Sequence, residues 1–260
     1  MCFSKNYENN GYRMSVNINV FSHAEMAASQ LAAAIASDLH AALAEKPRAL
    51  LLVSGGKSPV PLFTALANEA VDWRRVDISL VDERAVAPEA QQANAALVRA
   101  ELMSGPAHAA CWIPLMPEEI WKTSGHAWQA IERAAELANA DTALMTPAVV
   151  VLGIGTDGHT ASLFPDAPEW PNAAITSARY VCLQPPEAPY ARLSLSLQAL
   201  RNQRRCYMWA VGSGKTATLA KLQQTASNTI DINILHRAGP VACLMADPAV
   251  QLEVYCCDID

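Results

Sequence analysis

The chain has 260 residues, of which 52% are hydrophobic and 17% charged, and its formal net charge at pH 7 is -6. This composition is typical of a globular protein and excludes a disordered chain. The negative charge and the lack of a dense basic run argue against a nucleic-acid partner, and no apolar run reaches the ~18 residues that a membrane span needs.

The first thirteen residues are polar and lack the apolar region of a signal peptide. We interpret residues 1–13 as a disordered leader or an over-extended start, and residues 14–260 as a single α/β domain. The chain has seven cysteines, an odd number, and none of them are in C-x-x-C spacing. This pattern favours reduced thiols in a cytoplasmic protein over a disulfide framework.

The predicted elements alternate between strands and helices. Apolar runs predict strands at 16–20, 49–53, 76–81, 148–152, 206–211 and 252–256, and residues 192–197 alternate between polar and apolar. Helices are predicted at 22–45, where Ser22 suits a cap, and at 59–69, 91–103, 118–139 and 215–224. In the fourth helix Trp121 and Trp128 lie seven residues apart, which suits a buried stripe. This order predicts a mostly parallel sheet with helices on both faces.

The stretch from Ala148 to Asp166, AVVVLGIGTDGHTASLFPD, contains the strongest active-site candidate. A valine-rich buried strand leads into a glycine turn that holds Asp157 and His159, at the place where open α/β sheets bind ligands. Histidine titrates near neutrality, which suits a general base, and Asp157 could orient its ring. The alternative is a structural histidine in a polar turn. Residues 161–164 are predicted to begin a short helix that ends at Pro165.

The glycines of this stretch, Gly153, Gly155 and Gly158, also satisfy the G-x-G-x-x-G pattern of dinucleotide-binding proteins. That interpretation is disfavoured because a long helix should follow the third glycine, whereas Pro165 intervenes. The dinucleotide unit also normally opens its domain, and this one lies past the middle of the chain.

The loop from Ser54 to Pro59, SGGKSP, suits an anion, because its two glycines let backbone N–H groups turn inward before a helix N-terminus. The hydroxyls of Ser54 and Ser58 add donors, and Lys57 adds positive charge. The alternative is an ordinary strand-to-helix turn that Ser58 caps.

Two further loops carry a cation after a predicted strand. Arg84 ends the triplet DER and is suited to bidentate phosphate binding, although a surface ion pair within the triplet is the alternative. Lys215 follows a glycine turn that resembles the end of a P-loop, but Trp209 stands where a P-loop needs glycine. Lys215 can still reach an anion; otherwise it is a solvated lysine at a helix start.

Other chemistries lack their residues in this sequence. The remaining five histidines are scattered without ligand spacing, so no metal and no cofactor are predicted. No serine stands in G-x-S-x-G, which removes a hydrolase nucleophile elbow. A base without a nearby nucleophile indicates activation of water or abstraction of a substrate proton.

The segments LLVSGGKSP, VDERAV and LGIGTDGHTASLFPD resemble the 6-phosphogluconolactonase family of the pentose phosphate pathway. The later segments GSGK and LEVY, and Arg192 within PYARLSLSL, also resemble it, and the matches run in family order from about residue 16 to 257. The sequence departs from the family pattern at Ser58, Ala87 and Ala93, where threonine, proline and serine are usual.

The resemblance implies a parallel α/β fold related to glucosamine-6-phosphate deaminase and ribose-5-phosphate isomerase. It implies hydrolysis of 6-phospho-D-glucono-1,5-lactone without a metal, with His159 as the general base and Asp157 beside it. The residues implied to bind the sugar phosphate are Ser54, Gly55, Gly56, Ser58, Arg84, Lys215 and Arg192. We expect a small-molecule sugar phosphate as the partner, and a monomer or small homo-oligomer. An isomerase or deaminase of the same fold, and a non-catalytic sugar-phosphate sensor, remain the alternatives.

Overall fold

The computed structural model describes residues 3–5, 8–9, 12–13 and 16–258. Short strands occupy the described pieces of the predicted leader, and the rest of that leader lies outside the described residues. Its disorder therefore stays a prediction.

The strands divide among one large sheet, one small sheet and one hairpin. In chain order they are β1 (Phe3–Lys5), β2 (Glu8–Asn9), β3 (Tyr12–Arg13), β4 (Val16–Val20), β5 (Ala49–Val53), β6 (Val76–Leu80), β7 (Asp82–Arg84), β8 (Cys111–Trp112), β9 (Val149–Gly153), β10 (Tyr180–Leu183), β11 (Arg192–Leu195), β12 (Cys206–Val211) and β13 (Leu252–Cys257).

The large sheet has the order β1-β4-β13-β12-β9-β5-β6-β8, and every pair in it except β1 with β4 is parallel. The small sheet is antiparallel, in the order β10-β11-β7. Val81 joins the two sheets: its N–H donates to the Val53 carbonyl at 3.0 Å, and its own carbonyl accepts from the Leu195 N–H at 2.8 Å. β2 and β3 form the hairpin.

The helices fill the intervals between the parallel strands. They are α1 (Ala24–Glu45), α2 (Val60–Ala67), α3 (Asn94–Glu101), α4 (Glu118–Thr123), α5 (Ala127–Ala140), α6 (Trp170–Ala173), α7 (Leu197–Arg201), α8 (Lys215–Asn228), α9 (Ile232–Ala238) and α10 (Pro240–Ala246), with 3₁₀ turns at Trp73–Arg75, Gly105–Ala109 and Thr142–Leu144.

The core lies on both faces of the large sheet. Every residue of β5 and of β12 is buried, and successive strand residues point to opposite faces, so both faces are covered. The predicted α/β architecture, mostly parallel with helices on both faces, is thereby confirmed. None of the helices formed by the described residues is long and apolar enough to cross a membrane.

The prediction of one helix over 118–139 is wrong. The helical conformation is interrupted at Ser124 and Gly125, between α4 and α5. The His126 side chain then caps α5 by accepting the Gln129 N–H at 3.2 Å. Because of this break, the seven-residue spacing of the two tryptophans does not form one helical stripe. Both are only partly buried where they pack against the core.

Three smaller expectations also fail. Residues 161–164 form no helix, since Thr160 pairs with Leu163 in an isolated bridge and Ala161 has a φ of 50°. The strand predicted to reach residue 197 ends at Leu195, because Ser196 caps α7. The hydroxyl of Ser22 contacts the Met26 sulfur at 3.8 Å and does not cap α1, whose cap residue is His23.

Candidate active site

A cleft of about 340 Å³ lies at the carboxyl edge of the large sheet. It forms there because β12, β9, β5 and β6 are neighbours and parallel, so the loops that follow them emerge side by side. The residues predicted for the site that line this cleft are Ser54, Gly55, Gly56, Ser58, Arg84, His159, Arg192 and Lys215, and Lys57 lines it as well. The ninth predicted residue, Asp157, reaches the cleft through its contact with His159.

The Asp157–His159 pair is held by two hydrogen bonds to one carboxylate oxygen. Asp157 Oδ1 lies 2.6 Å from His159 Nδ1 and accepts the His159 backbone N–H at 3.2 Å. Burial acts to raise the pKa of the Asp157 carboxyl, but the hydrogen bonds and charge of His159 outweigh it and hold that pKa below its usual value. An ionised carboxylate only accepts hydrogen bonds, so Nδ1 carries the proton and the Nε2 lone pair is left to accept one.

The His159 ring is fixed on its face by Phe164. The two rings stack with centroids 4.1 Å apart and an interplanar angle of 26°. The Arg192 guanidinium carbon lies 6.0 Å from the centroid of the same phenyl ring. Phe164 therefore lies between the candidate base and one candidate phosphate ligand, a role that the sequence analysis missed.

The turn around the pair closes tightly over Gly155. The Gly155 N–H donates to the His159 carbonyl at 2.9 Å, and the Gly158 N–H donates to the Gly155 carbonyl at 3.0 Å. A Cβ atom at Gly155 would lie 2.3 Å from the His159 ring and 2.4 Å from Asp157 Oδ1. Only glycine lets the Asp157–His159 pair pack against this backbone.

We expect Gly155→Ala to lower kcat by about one to two orders of magnitude, because the new methyl group must push the histidine out of position and misplacement of ~1 Å costs about 10²-fold. The measurement is steady-state turnover of the lactone proposed below. Gly125→Ala is the matched control, since Gly125 lies outside the cleft and a Cβ there would meet only the end of the Gln129 side chain, at 3.3 Å. Equal losses in the two variants would contradict a specific role for the close approach at Gly155.

Two arginines supply positive charge to the cleft. Arg84 Nη1 donates to the Gln92 carbonyl at 2.7 Å, which fixes the guanidinium. The Nε atoms of Arg84 and Arg192 are buried without a hydrogen-bond partner among the described residues. Burial lowers the pKa of Arg192, with Arg84 adding to that effect and Asp82 opposing it. Unpaired buried guanidinium donors beside a cleft are suited to an anionic ligand.

Lys215 enters the same cleft from the start of α8. Its Nζ donates to Ser58 Oγ at 2.8 Å, and Ser58 Oγ in turn donates to the Val211 carbonyl at 2.9 Å. The Trp209 indole N–H donates to the Ser58 carbonyl at 2.9 Å. These bonds tie the loop after β5 to the loop after β12, so the alternative of a solvated Lys215 is ruled out.

A buried polar network beneath the cleft was not predicted. Asp82 Oδ2 accepts from the Ser162 hydroxyl at 2.6 Å, and the Asn94 amide donates to the Asp82 carbonyl at 3.0 Å. A Cβ at Gly55 would lie 2.3 Å from the Asn94 side chain. Asp82, Asn94 and Ser162 therefore join the three loops that carry the candidate ligands.

Glu83 faces away from this network and holds the start of α3. It is 1% exposed, and its carboxyl accepts three backbone N–H groups, those of Arg84 at 2.7 Å, Asn94 at 2.8 Å and Ala95 at 2.8 Å. Burial raises the pKa of Glu83 to about 7 against the opposing effect of these three bonds. The DER triplet is thus not a surface ion pair.

The Glu83 pKa makes stability depend on pH in a defined direction. A carboxyl whose pKa is raised in the folded state contributes most below its unfolded pKa of 4.5, and the contribution is lost as pH rises towards 7. We expect the free energy of unfolding of wild type, relative to Glu83→Gln, to fall by up to about 3 kcal/mol over that interval. Denaturant unfolding at several pH values measures it.

The exposed Glu136 provides the control for that measurement. Glu136→Gln should run parallel to wild type over the whole interval, because its carboxyl is exposed. A constant difference between wild type and Glu83→Gln from pH 5 to 8 would show that Glu83 does not titrate there.

No group of three or more histidine, cysteine, aspartate or glutamate side chains that could hold a metal ion occurs within residues 16–258. The arrangement instead offers a histidine lone pair on one side and a set of cationic and hydroxyl donors on the other. These features define an α/β protein whose cleft brings a histidine together with two arginines and a lysine.

Comparison with known proteins identifies the family. A family model described as glucosamine-6-phosphate isomerases/6-phosphogluconolactonase matches residues 22–248. The 6-phosphogluconolactonase of Neisseria meningitidis serogroup A is 36% identical over 225 residues, which covers 86% of this chain and 95% of that protein. That of Pseudomonas aeruginosa is 40% identical over 208 residues, or 78% and 84% of the two chains.

The fold agrees with these matches. The crystal structure of a 6-phosphogluconolactonase from Shewanella baltica superposes with a TM-score of 0.81 at 33% identity, over 92% of this chain and 96% of that one. The chain belongs to the glucosamine-6-phosphate isomerase/6-phosphogluconolactonase family.

Proposed function

We propose that the protein hydrolyses 6-phospho-D-glucono-1,5-lactone to 6-phospho-D-gluconate in the oxidative pentose phosphate pathway. The observation that carries this proposal is the Asp157–His159 pair, hydrogen-bonded at 2.6 Å, in the same cleft as Arg84, Arg192 and Lys215. The names of the relatives support the same reaction. The proposal includes a cytoplasmic location, which the free state of the six described cysteines favours.

The reaction needs one base that later acts as an acid. His159 Nε2 takes a proton from water as the water oxygen bonds to C1 of the lactone, while Asp157 stabilises the imidazolium. The tetrahedral intermediate collapses by breaking the bond between C1 and the ring oxygen, and Nε2 returns the proton to that oxygen. The products are a carboxylic acid, which ionises at neutral pH, and the hydroxyl at C5.

The phosphate at C6 is held in this proposal by Arg84, Arg192 and Lys215, with the Ser54–Ser58 loop. The buried, unpaired Nε atoms of the two arginines gain charge-assisted hydrogen bonds to a phosphate oxygen. Backbone N–H groups of the loop at Gly55 and Gly56 are available for the phosphate or the oxyanion, since they donate to no acceptor within the described residues.

The deciding experiment compares two substrates on the purified protein. We expect 6-phosphogluconate to form from freshly prepared lactone far faster than by spontaneous hydrolysis, and no ammonia to form from glucosamine-6-phosphate. Ammonia release would identify the deaminase activity of the same fold. Binding of both compounds without turnover would identify a sugar-phosphate sensor.

A further inference from the structure

A second cleft lies at the opposite edge of the large sheet, where β5, β9 and β12 begin. We name it the amino-edge cleft; its charged lining residues are Lys46, Arg179 and Arg204. Its volume is about 980 Å³, against about 340 Å³ for the catalytic cleft. No residue lines both clefts, so a ligand here would be independent of the candidate active site.

The charge of this cleft is of one sign. Among the described residues, no aspartate or glutamate lines it, although the whole chain has 25 acidic and 19 basic residues. None of its three cations forms an ion pair within the described residues. Arg179 Nη1 is moreover buried without a hydrogen-bond partner there. A buried guanidinium donor without a partner is unfavourable, and an anionic ligand would satisfy it.

Structural roles account for only one of these cations. Lys46 follows the last residue of α1 and complements the negative end of the helix dipole. Arg179 lies outside any helix, directly before β10; its backbone N–H donates to Asn139 Oδ1 at 2.9 Å and its carbonyl accepts from the Ser196 N–H at 2.7 Å, so its backbone, not its guanidinium, is bonded into the fold. Arg204 is exposed two residues before β12. Neither arginine side chain forms a hydrogen bond with another described residue.

The strand order sets the distance between the two ends of the cleft. β5 and β12 flank β9 on either side, so the two strands run about 10 Å apart. Lys46 stands three residues before β5 and Arg204 two residues before β12. Two cations at the starts of separate strands, with Arg179 lining the same cleft, suit a ligand that carries two anionic groups rather than one.

We propose that the amino-edge cleft binds a small organic molecule with at least two phosphate groups. Arginine binds phosphate oxygens in pairs, and the volume is that of a pocket for a complete small molecule. The carbon skeleton of the ligand would contact Ile175 and Met145, which line the cleft and are 69% and 47% exposed.

The test is calorimetric titration with fructose 1,6-bisphosphate as the probe, and with inorganic phosphate and citrate as comparators. We expect wild type to bind the bisphosphate in the amino-edge cleft, and the double variant Arg179→Gln/Arg204→Gln to weaken that binding at least about tenfold. Arg84→Ala, in the catalytic cleft, and Arg99→Gln, at an exposed arginine on α3, should leave the affinity of the amino-edge cleft unchanged. The double variant should also keep the kcat and KM of lactone hydrolysis.

Three outcomes would overturn the proposal. The first is unchanged bisphosphate binding in the double variant. The second is loss of all binding in Arg84→Ala, which would place the probe in the catalytic cleft alone. The third is citrate or inorganic phosphate binding as tightly as the bisphosphate. Should the double variant fail to fold, Lys46→Gln and Arg204→Gln, which alter exposed side chains only, apply the same criteria singly.

Discussion

Replacing His159 with asparagine is expected to lower kcat for the phosphorylated lactone by about two to four orders of magnitude, the usual effect of removing a general base. Asparagine suits the turn, so the variant should fold. The asparagine side chain has no basic lone pair in place of Nε2. In the histidine, Nε2 is left to accept a proton because Nδ1 is bonded to Asp157 Oδ1 at 2.6 Å. The measurement is initial-rate kinetics at saturating lactone, corrected for spontaneous hydrolysis.

The matched control for that experiment is His108→Asn. His108 is an exposed histidine outside the catalytic cleft, so the same substitution there should leave kcat unchanged. Turnover near the wild-type rate in His159→Asn would remove His159 from its role and leave the fold assignment untouched.

Unphosphorylated gluconolactone should be a poorer substrate by at least about two orders of magnitude in kcat/KM. Each charge-assisted hydrogen bond to the phosphate is worth roughly 1.5–3 kcal/mol, and a loss near 3 kcal/mol corresponds to about 10²-fold. Part of that binding energy orients the carbonyl against His159, so kcat should fall as well as affinity.

Arg84→Ala should affect the phosphorylated lactone much more than the plain one, because the buried Nε of Arg84 beside the cleft has no hydrogen-bond partner among the described residues. The experiment measures wild type and Arg84→Ala on both lactones, which separates recognition of phosphate from general damage to the site. Arg237→Ala, at an exposed arginine of α9, is the control. Equal fractional losses on the two substrates would mean that Arg84 does not bind the phosphate.

The central strands were predictable because they are buried on both faces. β5 and β9 read as continuous apolar runs, and the parallel order then places their loops at one edge. The short strand β7 was not predictable: its residues are Asp, Glu and Arg, and the two acidic residues are depleted in strands. It is a strand because it pairs with β11, and that contact joins segments about a hundred residues apart in the sequence.

Much of the candidate site was predictable for the same reason. The loops that carry Ser54–Ser58, Asp157–His159 and Lys215 follow parallel strands whose direction the pattern reveals, so these residues meet at the cleft or in contact with it. Arg84 and Arg192 lie instead on antiparallel strands of the small sheet, and Arg192 was expected only from the family resemblance. The polar network beneath the cleft was not predictable, because the hydrogen bond between Ser162 and Asp82 spans 80 positions and depends on how the small sheet packs against the large one. For Phe164, only its position within the DGHTASLFP segment could have indicated a place in the site.

The position of Val81 bears on how this protein opens. Its N–H donates to Val53 in the large sheet at 3.0 Å, and its carbonyl accepts from Leu195 in the small sheet at 2.8 Å, so the two sheets separate at this residue only when the Leu195 amide of β11 is released. Slow amide exchange in β11 would then report the same cooperative unit as β5, with a protection close to that of global unfolding. Arg84 and Arg192 lie on β7 and β11, so the half of the cleft that we propose to bind the phosphate would share the rigidity of the core.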